Sequence, residues 1–339
     1  MICDKDGKMI RRIAALLLLL LLLPHLAFAQ EGFVYQEEEI PEELTLIPGS
    51  ETVFQVRGMR RLVNLSSQYP PESMDERIDN FNEVLDALDP HIPVYLYFAE
   101  NSRSHPVQKE FSVDSELYLH LKERLHTDGA DHIKYSSFRE YCDLFYSTDH
   151  HWNYRGSYQA YVDIVRMLKG GKEEVLEPAA VEVFPVYFNG FYSKELKLEF
   201  SREYFAIYRF DPFPQYTALV NGKKKVYDHF SNYMKNMINN SPLYNHYAAC
   251  YGGDFGMIVF QGEQSGKGNL LLIGDSLSNA VKTLLIHHYD KIVYVDLRHY
   301  EEDMGKPFSM SELLAEYPID QILLLGNVNL FTEGGPMLP

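Results

Sequence analysis

The stretch LLLIGDSLSNAVKTLLIHHYDKIVYVD, residues 270–296, reads as a strand over Leu270–Ile273, a turn at Gly274-Asp275-Ser276, a helix over Ser278–His287 and a second strand over Lys291–Asp296. The first strand is apolar at every position, as a strand is when both faces of its sheet are covered. Two such strands joined by a helix form the crossover unit of a parallel sheet. Working outward, a helix at Ser309–Glu316 and a strand at Gln321–Leu325 follow, and Met257–Phe260 reads as a short strand before it. Further upstream, Ile92–Ala99 (IPVYLYFA) is another near-continuous apolar strand, flanked by helices at Pro71–Leu88 and Ser112–Leu125. Two more helices are expected, at Ser137–Leu144 and Tyr154–Lys169, the second capped by Asn153 and ended by Gly170-Gly171. Between Lys172 and Gly253 the pattern breaks. Pro185, Pro212 and Pro214 interrupt short alternating runs at Val181–Phe188 and Tyr204–Phe210, which read as an irregular β-rich insertion packed over one end of the domain. The sum predicts an α/β fold with a mostly parallel central sheet and helices on both faces.

The chain has 339 residues, with 31 Lys+Arg against 48 Asp+Glu and a net charge of -17. That balance excludes nucleic acid as the main partner, because phosphate binding needs a basic footprint. Lys5, Lys8, Arg11 and Arg12, the Leu-rich run Ile13–Leu23 and the small-residue pattern Ala27-Phe28-Ala29 have the layout of a secretory signal peptide over residues 1–29. The apolar run is shorter than the ~20 residues of a membrane span, and an uncleaved anchor is the alternative reading. Residues 30–50 read as a flexible acidic leader, and 51–339 as one domain carrying the insertion at about 172–253. The protein is therefore expected outside the cytoplasmic membrane. Cys142 and Cys250 would remain after cleavage, either paired or as buried free thiols. The 25 Tyr and 20 Phe fit either aromatic core packing or cleft walls that stack on saccharides.

Two segments carry chemistry. Gly274-Asp275-Ser276 lies at the carboxyl end of a strand, where open α/β sheets bind ligands. There Ser276 is either a nucleophile, with helix N–H groups nearby for an oxyanion, or part of a simple helix cap made by Asp275 or Ser278. The second segment, Ser147-Thr148-Asp149-His150-His151-Trp152-Asn153, places a carboxylate two residues before an imidazole. Positions i and i+2 of an extended segment share a side. Asp149 can then orient His151, whose other ring nitrogen would deprotonate a serine, with Trp152 shielding the pair from water. Two other readings stand beside this one. In one, Asp149 caps a helix. In the other, Asp149, His150 and His151 bind a metal with His287, His288 or His299.

Together, Tyr146–Tyr161 (YSTDHHWNYRGSYQAY), the Ser276 turn and Val295-Asp296-Leu297-Arg298-His299-Tyr300 resemble the bacterial DHHW family. That family is similar to the exported O-acetyltransferases that modify alginate and other exopolysaccharides, within the SGNH hydrolase superfamily. The resemblance implies the three-layer SGNH hydrolase-like fold, with Asp149 as triad acid, His151 as base and Ser276 as nucleophile. The order Asp, His, Ser is rearranged relative to ordinary SGNH esterases, as it is in the alginate-type relatives. The G-x-N-D block of the superfamily has an imperfect counterpart in Gly326-Asn327-Val328-Asn329. Candidates to bind the oxyanion or substrate are the Ser276 N–H, Gly252 or Gly253, Asn327, Trp152 and Arg298, the last of which alternatively pairs with Asp296 or Asp303. No cofactor is implied. The partners implied are a polysaccharide acceptor and a membrane-bound O-acyltransferase that donates the acetyl group. A polysaccharide acetyl-esterase and a non-catalytic glycan-binding relative are the competing functions.

Overall fold

The computed structural model describes residues 39–332, apart from 42, 66–69, 104–111, 226–238, 240 and 264, together with Leu338. The expected signal peptide and residues 30–38 of the leader lie outside the described residues. In chain order the strands are β1 (Leu46–Pro48), β2 (Val53–Val56), β3 (Leu62–Asn64), β4 (Val94–Phe98), β5 (Gly129–His132), β6 (Ala180–Tyr187) and β7 (Tyr204–Arg209). They continue with β8 (Tyr216–Val220), β9 (Lys223–Lys225), β10 (Met257–Gly262), β11 (Asn269–Gly274), β12 (Lys291–Val295) and β13 (Gln321–Gly326).

Eight of them form one sheet in the order β5-β4-β13-β11-β12-β10-β8-β9. The five from β5 to β12 are parallel, and the β10-β8-β9 edge is antiparallel. Alternate side chains of the parallel strands feed two separate cores, as the period-2 pleat requires. Tyr97, Leu270, Leu272, Tyr294 and Leu325 enter one, with Tyr161 and Ile164 of helix Tyr154–Lys169. Leu96, Leu271, Ile273, Val293 and Leu324 enter the other, with Ile78 and Phe81 of helix Asp75–Leu85 and Leu313 of helix Met310–Glu316. Burial on both faces is why these strands carry no polar alternation. The described residues belong to one compact unit.

Helix Tyr154–Lys169 has the expected ends. Asn153 accepts from the N–H groups of Arg155 and Gly156, and Gly170 closes the last turn at φ 62°. Helix Glu116–Arg124 starts later than expected, because Ser115 rather than Ser112 is its cap. The helix expected at Ser278–His287 is broken into a 3-10 turn (Ser276–Ala280), an α turn (Lys282–Leu285) and a second 3-10 turn (Ile286–His288). The Ser278 hydroxyl donates to the Asp275 carbonyl at 2.6 Å and competes with regular helix bonding.

Two expectations about the domain layout need correction, and one strand is new. The leader ends before residue 50, since Leu46–Pro48 is paired with Val56–Phe54 in a small antiparallel sheet with β3. The segment 172–253 is not wholly an insertion over one end. Its β6 and β7 form a separate pair, but β8 and β9 extend the central sheet, with Ala218 and Val220 turned into the core. β5 was not expected at all. Its Gly-Ala-Asp-His sequence has no apolar run, and its pairing with β4 defines it as an edge strand.

The chain leaving β4 carries Glu100, 1% exposed, with Oε1 unpartnered. Burial pushes its carboxyl up to about 7, against a lowering hydrogen bond from Ser115 and with a further rise from Asp114. From its ordinary value near 4.5 up to about 7, the folded chain holds this proton and the unfolded chain does not. Stability therefore falls as pH rises through that window, by about 3 kcal/mol for this group, and the cost is complete above it. Glu100→Gln is expected to unfold at higher urea than the wild type at pH 8 and at the same urea at pH 4. Equal midpoints at both pH values would show that Glu100 carries no such cost.

Candidate active site

The Ser276 turn is set by the meeting of two strand ends. Gly274 closes β11 where any Cβ would lie 2.8 Å from the Leu325 carbonyl oxygen of β13. Asp275 then accepts from the Leu277 N–H at 2.9 Å and from the Asn327 N–H at 3.3 Å, tying the loops after β11 and β13 together. Burial raises the Asp275 carboxyl above its ordinary range, although Arg298 and these N–H groups oppose the rise. Asp275 thus caps the 3-10 turn, and the Ser276 hydroxyl is left for another partner. The Ser276 N–H, in the first residue of that turn, has no partner within it.

The loop between helices Phe138–Leu144 and Tyr154–Lys169 is pinched by an antiparallel bridge between Phe145 and Trp152. Extended backbone there sends consecutive side chains to opposite sides. His151 faces Ser276, and Trp152 faces the core. Trp152 is fully buried, edge-on to Tyr97 at 6.5 Å. It is therefore a packing anchor and not a substrate contact, contrary to the expectation from the sequence. Gly156 permits this packing, because a Cβ there would meet the Leu144 carbonyl oxygen at 2.2 Å.

The three side chains singled out from the sequence lie in line. His151 Nδ1–H donates to Asp149 Oδ1 at 2.7 Å, and Nε2 accepts from the Ser276 hydroxyl at 2.8 Å across 125 positions of sequence. The tautomer follows from the carboxylate being acceptor only. Asp149 also accepts from the His151 N–H at 3.0 Å and, through Oδ2, from the Phe191 N–H at 2.7 Å. Burial alone would disfavour its charge, but the two imidazoles and these hydrogen bonds outweigh burial and hold the carboxyl well below the usual range. An imidazole so held can take the serine proton and return it to a leaving group.

The middle segment contributes residues that sequence reading missed. Asn189-Gly190-Phe191 wraps Asp149, and a Cβ on Gly190 would stand 2.3 Å from Asp149 Oδ2. Thr148 clamps the same segment, donating to the Phe188 carbonyl at 3.1 Å and accepting from the Gly190 N–H at 3.0 Å. Tyr247 stacks on His151 at 3.9 Å and donates to the Ser276 carbonyl at 3.0 Å. These contacts are long-range, and no local pattern marks them.

The remaining candidates divide. Asn327 is buried at the carboxyl end of β13, beside β11. Its Oδ1 accepts from the Asn329 N–H at 2.8 Å, which fixes the amide and leaves Nδ2 without a hydrogen bond among the described residues. Gly252 and Gly253 line a cleft with Cys250, Phe255 and Lys282, and it is Tyr247 that this stretch sets against Ser276. Arg298 forks onto Asp296, with Nε at 2.9 Å and Nη2 at 2.6 Å, and approaches Asp254 at 3.8 Å. Asp303 accepts instead from the Gly256 N–H. Behind Asp254, Asn279 donates to it at 2.8 Å and receives Lys282, whose ammonium burial lowers to about 8.

Among the described residues, Asp149, His150 and His151 are the group of His, Cys and acidic side chains close enough to share an ion. Here both Asp149 oxygens and His151 Nδ1 are committed to hydrogen bonds, so an ion would have to break the Asp149–His151 contact. His288 lies elsewhere, buried between Tyr161 at 2.7 Å and Glu173 at 3.0 Å. Cys142 and Cys250 are both buried and are not joined in a disulfide.

No family model matches the sequence, and no curated protein matches it. Solved structures do match. A DHHW family protein from Eubacterium siraeum aligns at TM-score 0.65 with 16% identity, over 88% of this chain and 100% of that one. Bacillus cereus PatB1 with a sulfonyl adduct aligns at TM-score 0.63 with 16% identity, over 86% of this chain and 97% of that one. A second PatB1 structure aligns at TM-score 0.59 with 14% identity, over 86% and 98%. The chain thus has the α/β, SGNH hydrolase-like fold, with the mostly parallel sheet that it shares with the DHHW family protein and PatB1.

Proposed function

We propose that the protein is an exported O-acetyltransferase that acylates a cell-surface or extracellular polysaccharide through an acyl-enzyme on Ser276. The observation that carries this reading is the line Asp149–His151–Ser276, with contacts of 2.7 and 2.8 Å. A binding module has no need of a serine hydroxyl aimed at an imidazole that a buried carboxylate holds. Ser276 Oγ attacks the acetyl carbonyl of the donor while His151 takes its proton. The bond from acetyl to the donor oxygen then breaks, and His151 protonates that oxygen. In the second half a sugar hydroxyl gives its proton to His151 and attacks the acetyl carbon, and Ser276 leaves with the proton from His151. The Ser276 N–H and Asn327 Nδ2 serve as oxyanion donors.

Transfer and hydrolysis share this acyl-enzyme and differ in whether sugar or water collects the acetyl group. The fold shared with PatB1, captured with a sulfonyl adduct, supports chemistry at a nucleophile, and the sequence resemblance to polysaccharide O-acetyltransferases supports transfer. In this reading residues 1–29 direct export, and a membrane-bound O-acyltransferase supplies the acetyl group. Among the described residues no helix is long and apolar enough to cross a membrane. Purified protein given 4-nitrophenyl acetate is expected to gain one acetyl on the Ser276 peptide and to pass it to an added oligosaccharide, both read by mass spectrometry. Acetate release indifferent to any acceptor, with no acetylated sugar, would make the protein an esterase. Absence of the acyl-enzyme would leave a glycan-binding protein.

A further inference from the structure

Arg103 follows β4, at the end of the sheet where Ser276 follows the parallel strand β11. Its guanidinium lies over the ring of Phe191, 5.8 Å from the centroid. Its Nε is buried without a hydrogen-bond partner, and among the described residues no carboxylate pairs with the side chain. Arg298 is the useful contrast, since Asp296 and Asp254 occupy it. In a chain with 48 acidic and 31 basic side chains, a half-buried guanidinium that no acid of the described residues pairs has the Phe191 ring, and not a carboxylate, set against its desolvation.

Two short paths fix Arg103 against the reacting groups. Phe191, 44% exposed, donates its N–H to Asp149 Oδ2 at 2.7 Å and sets its ring edge-on to His150 at 5.5 Å. On the other side the Arg103 N–H donates to Asn101 Oδ1 at 3.0 Å, and Asn101 Nδ2 donates to the His150 carbonyl at 3.1 Å. A guanidinium stacked on an aromatic face keeps its N–H edge free, and that edge is a fork for oxyanions. The exposed part of the same ring offers an apolar surface to a sugar.

We propose that Arg103 and Phe191 form an acceptor subsite for an anionic saccharide, one whose ring carries a carboxylate or a phosphate. The guanidinium holds the anion while the Phe191 ring supports the sugar, so that a hydroxyl of the same chain is presented near Ser276. The proposal rests on the reading of the protein as a polysaccharide acetyltransferase and names the class of its acceptor.

The test is calorimetric binding, with no acetyl donor present, of maltotetraose, of the same oligosaccharide oxidised at C6 to its uronate, and of its C6 phosphate. The wild type should bind at least one anionic form about ten- to a hundredfold more tightly than the neutral one, with an advantage that shrinks in high salt. The tighter anion identifies the acceptor as uronate or phosphate. Arg103→Gln should erase the advantage, and Arg103→Lys, which keeps charge without the fork, should restore part of it. Thermal melting of each variant controls for folding. Equal binding of neutral and charged forms, or an advantage that survives in a folded Arg103→Gln protein, overturns the subsite. Because no acetyl is transferred in this experiment, its failure is distinct from absence of an acyl-enzyme on Ser276, which overturns the catalytic reading alone.

Discussion

Ser276→Ala and His151→Ala are each expected to lower acetyl transfer from 4-nitrophenyl acetate by roughly 10³-fold or more, and the double variant should be no slower than either single one. The reason is geometric. Among the described residues the serine hydroxyl has one base within reach, at 2.8 Å, and the imidazole has one nucleophile. Removing either member leaves the other with nothing to do, so the losses cannot add. The residual rate measures what the Ser276 N–H and Asn327 contribute by themselves. Single-turnover kinetics on the four proteins provide the test, with the acetylated Ser276 peptide as second readout. Additive losses would mean that the two side chains act in separate steps and would remove the triad from the proposed mechanism. An acyl-enzyme that forms at the wild-type rate in His151→Ala would do the same.

Gly190→Ala is expected to cost roughly 10²- to 10⁴-fold in the same assay, although residue 190 carries no functional group. The new methyl would sit 2.3 Å from Asp149 Oδ2 and 2.4 Å from Asp149 Cβ, well inside contact distance. The backbone at Gly190 is extended, with φ -79°, so the clash is the cause and not backbone strain. Relief requires Asp149 to move away from His151 Nδ1 or the 189–191 segment to move away from Asp149. The first removes the carboxylate that sets the imidazole tautomer, and the second removes the Phe191 N–H from Oδ2. Either way the acid of the triad loses a partner that now holds it ionised. The expected signature is a fall in kcat with a folded protein, read by melting and circular dichroism. A folded Gly190→Ala protein with wild-type kcat would show that Asp149 does not depend on this contact.

Both results bear on what is legible in a single chain. The parallel strands β4, β11, β12 and β13 were readable because burial on both faces leaves an unbroken apolar run, as in Leu270–Ile273 and Ile322–Leu325. The cap Asn153 was readable because it acts within three residues of itself. β5 was not, because its four residues have no pattern apart from their pairing with β4. β8 and β9 were misassigned for a related reason. A short alternating strand looks the same whether it joins the central sheet or a separate hairpin, and only the neighbour β10 decides.

The site divides along the same line. Asp149 and His151 share a side of one short loop, and Ser276 ends a buried strand. Those are local properties, and the sequence by itself determined them. Tertiary structure alone decided which groups surround them. It turned Trp152 into the core, set Tyr247 on the imidazole and brought Gly190 and Phe191 against Asp149. Each of these depends on the backbone path of a distant segment, and side-chain chemistry does not encode distance until the two cores on either side of the sheet have formed.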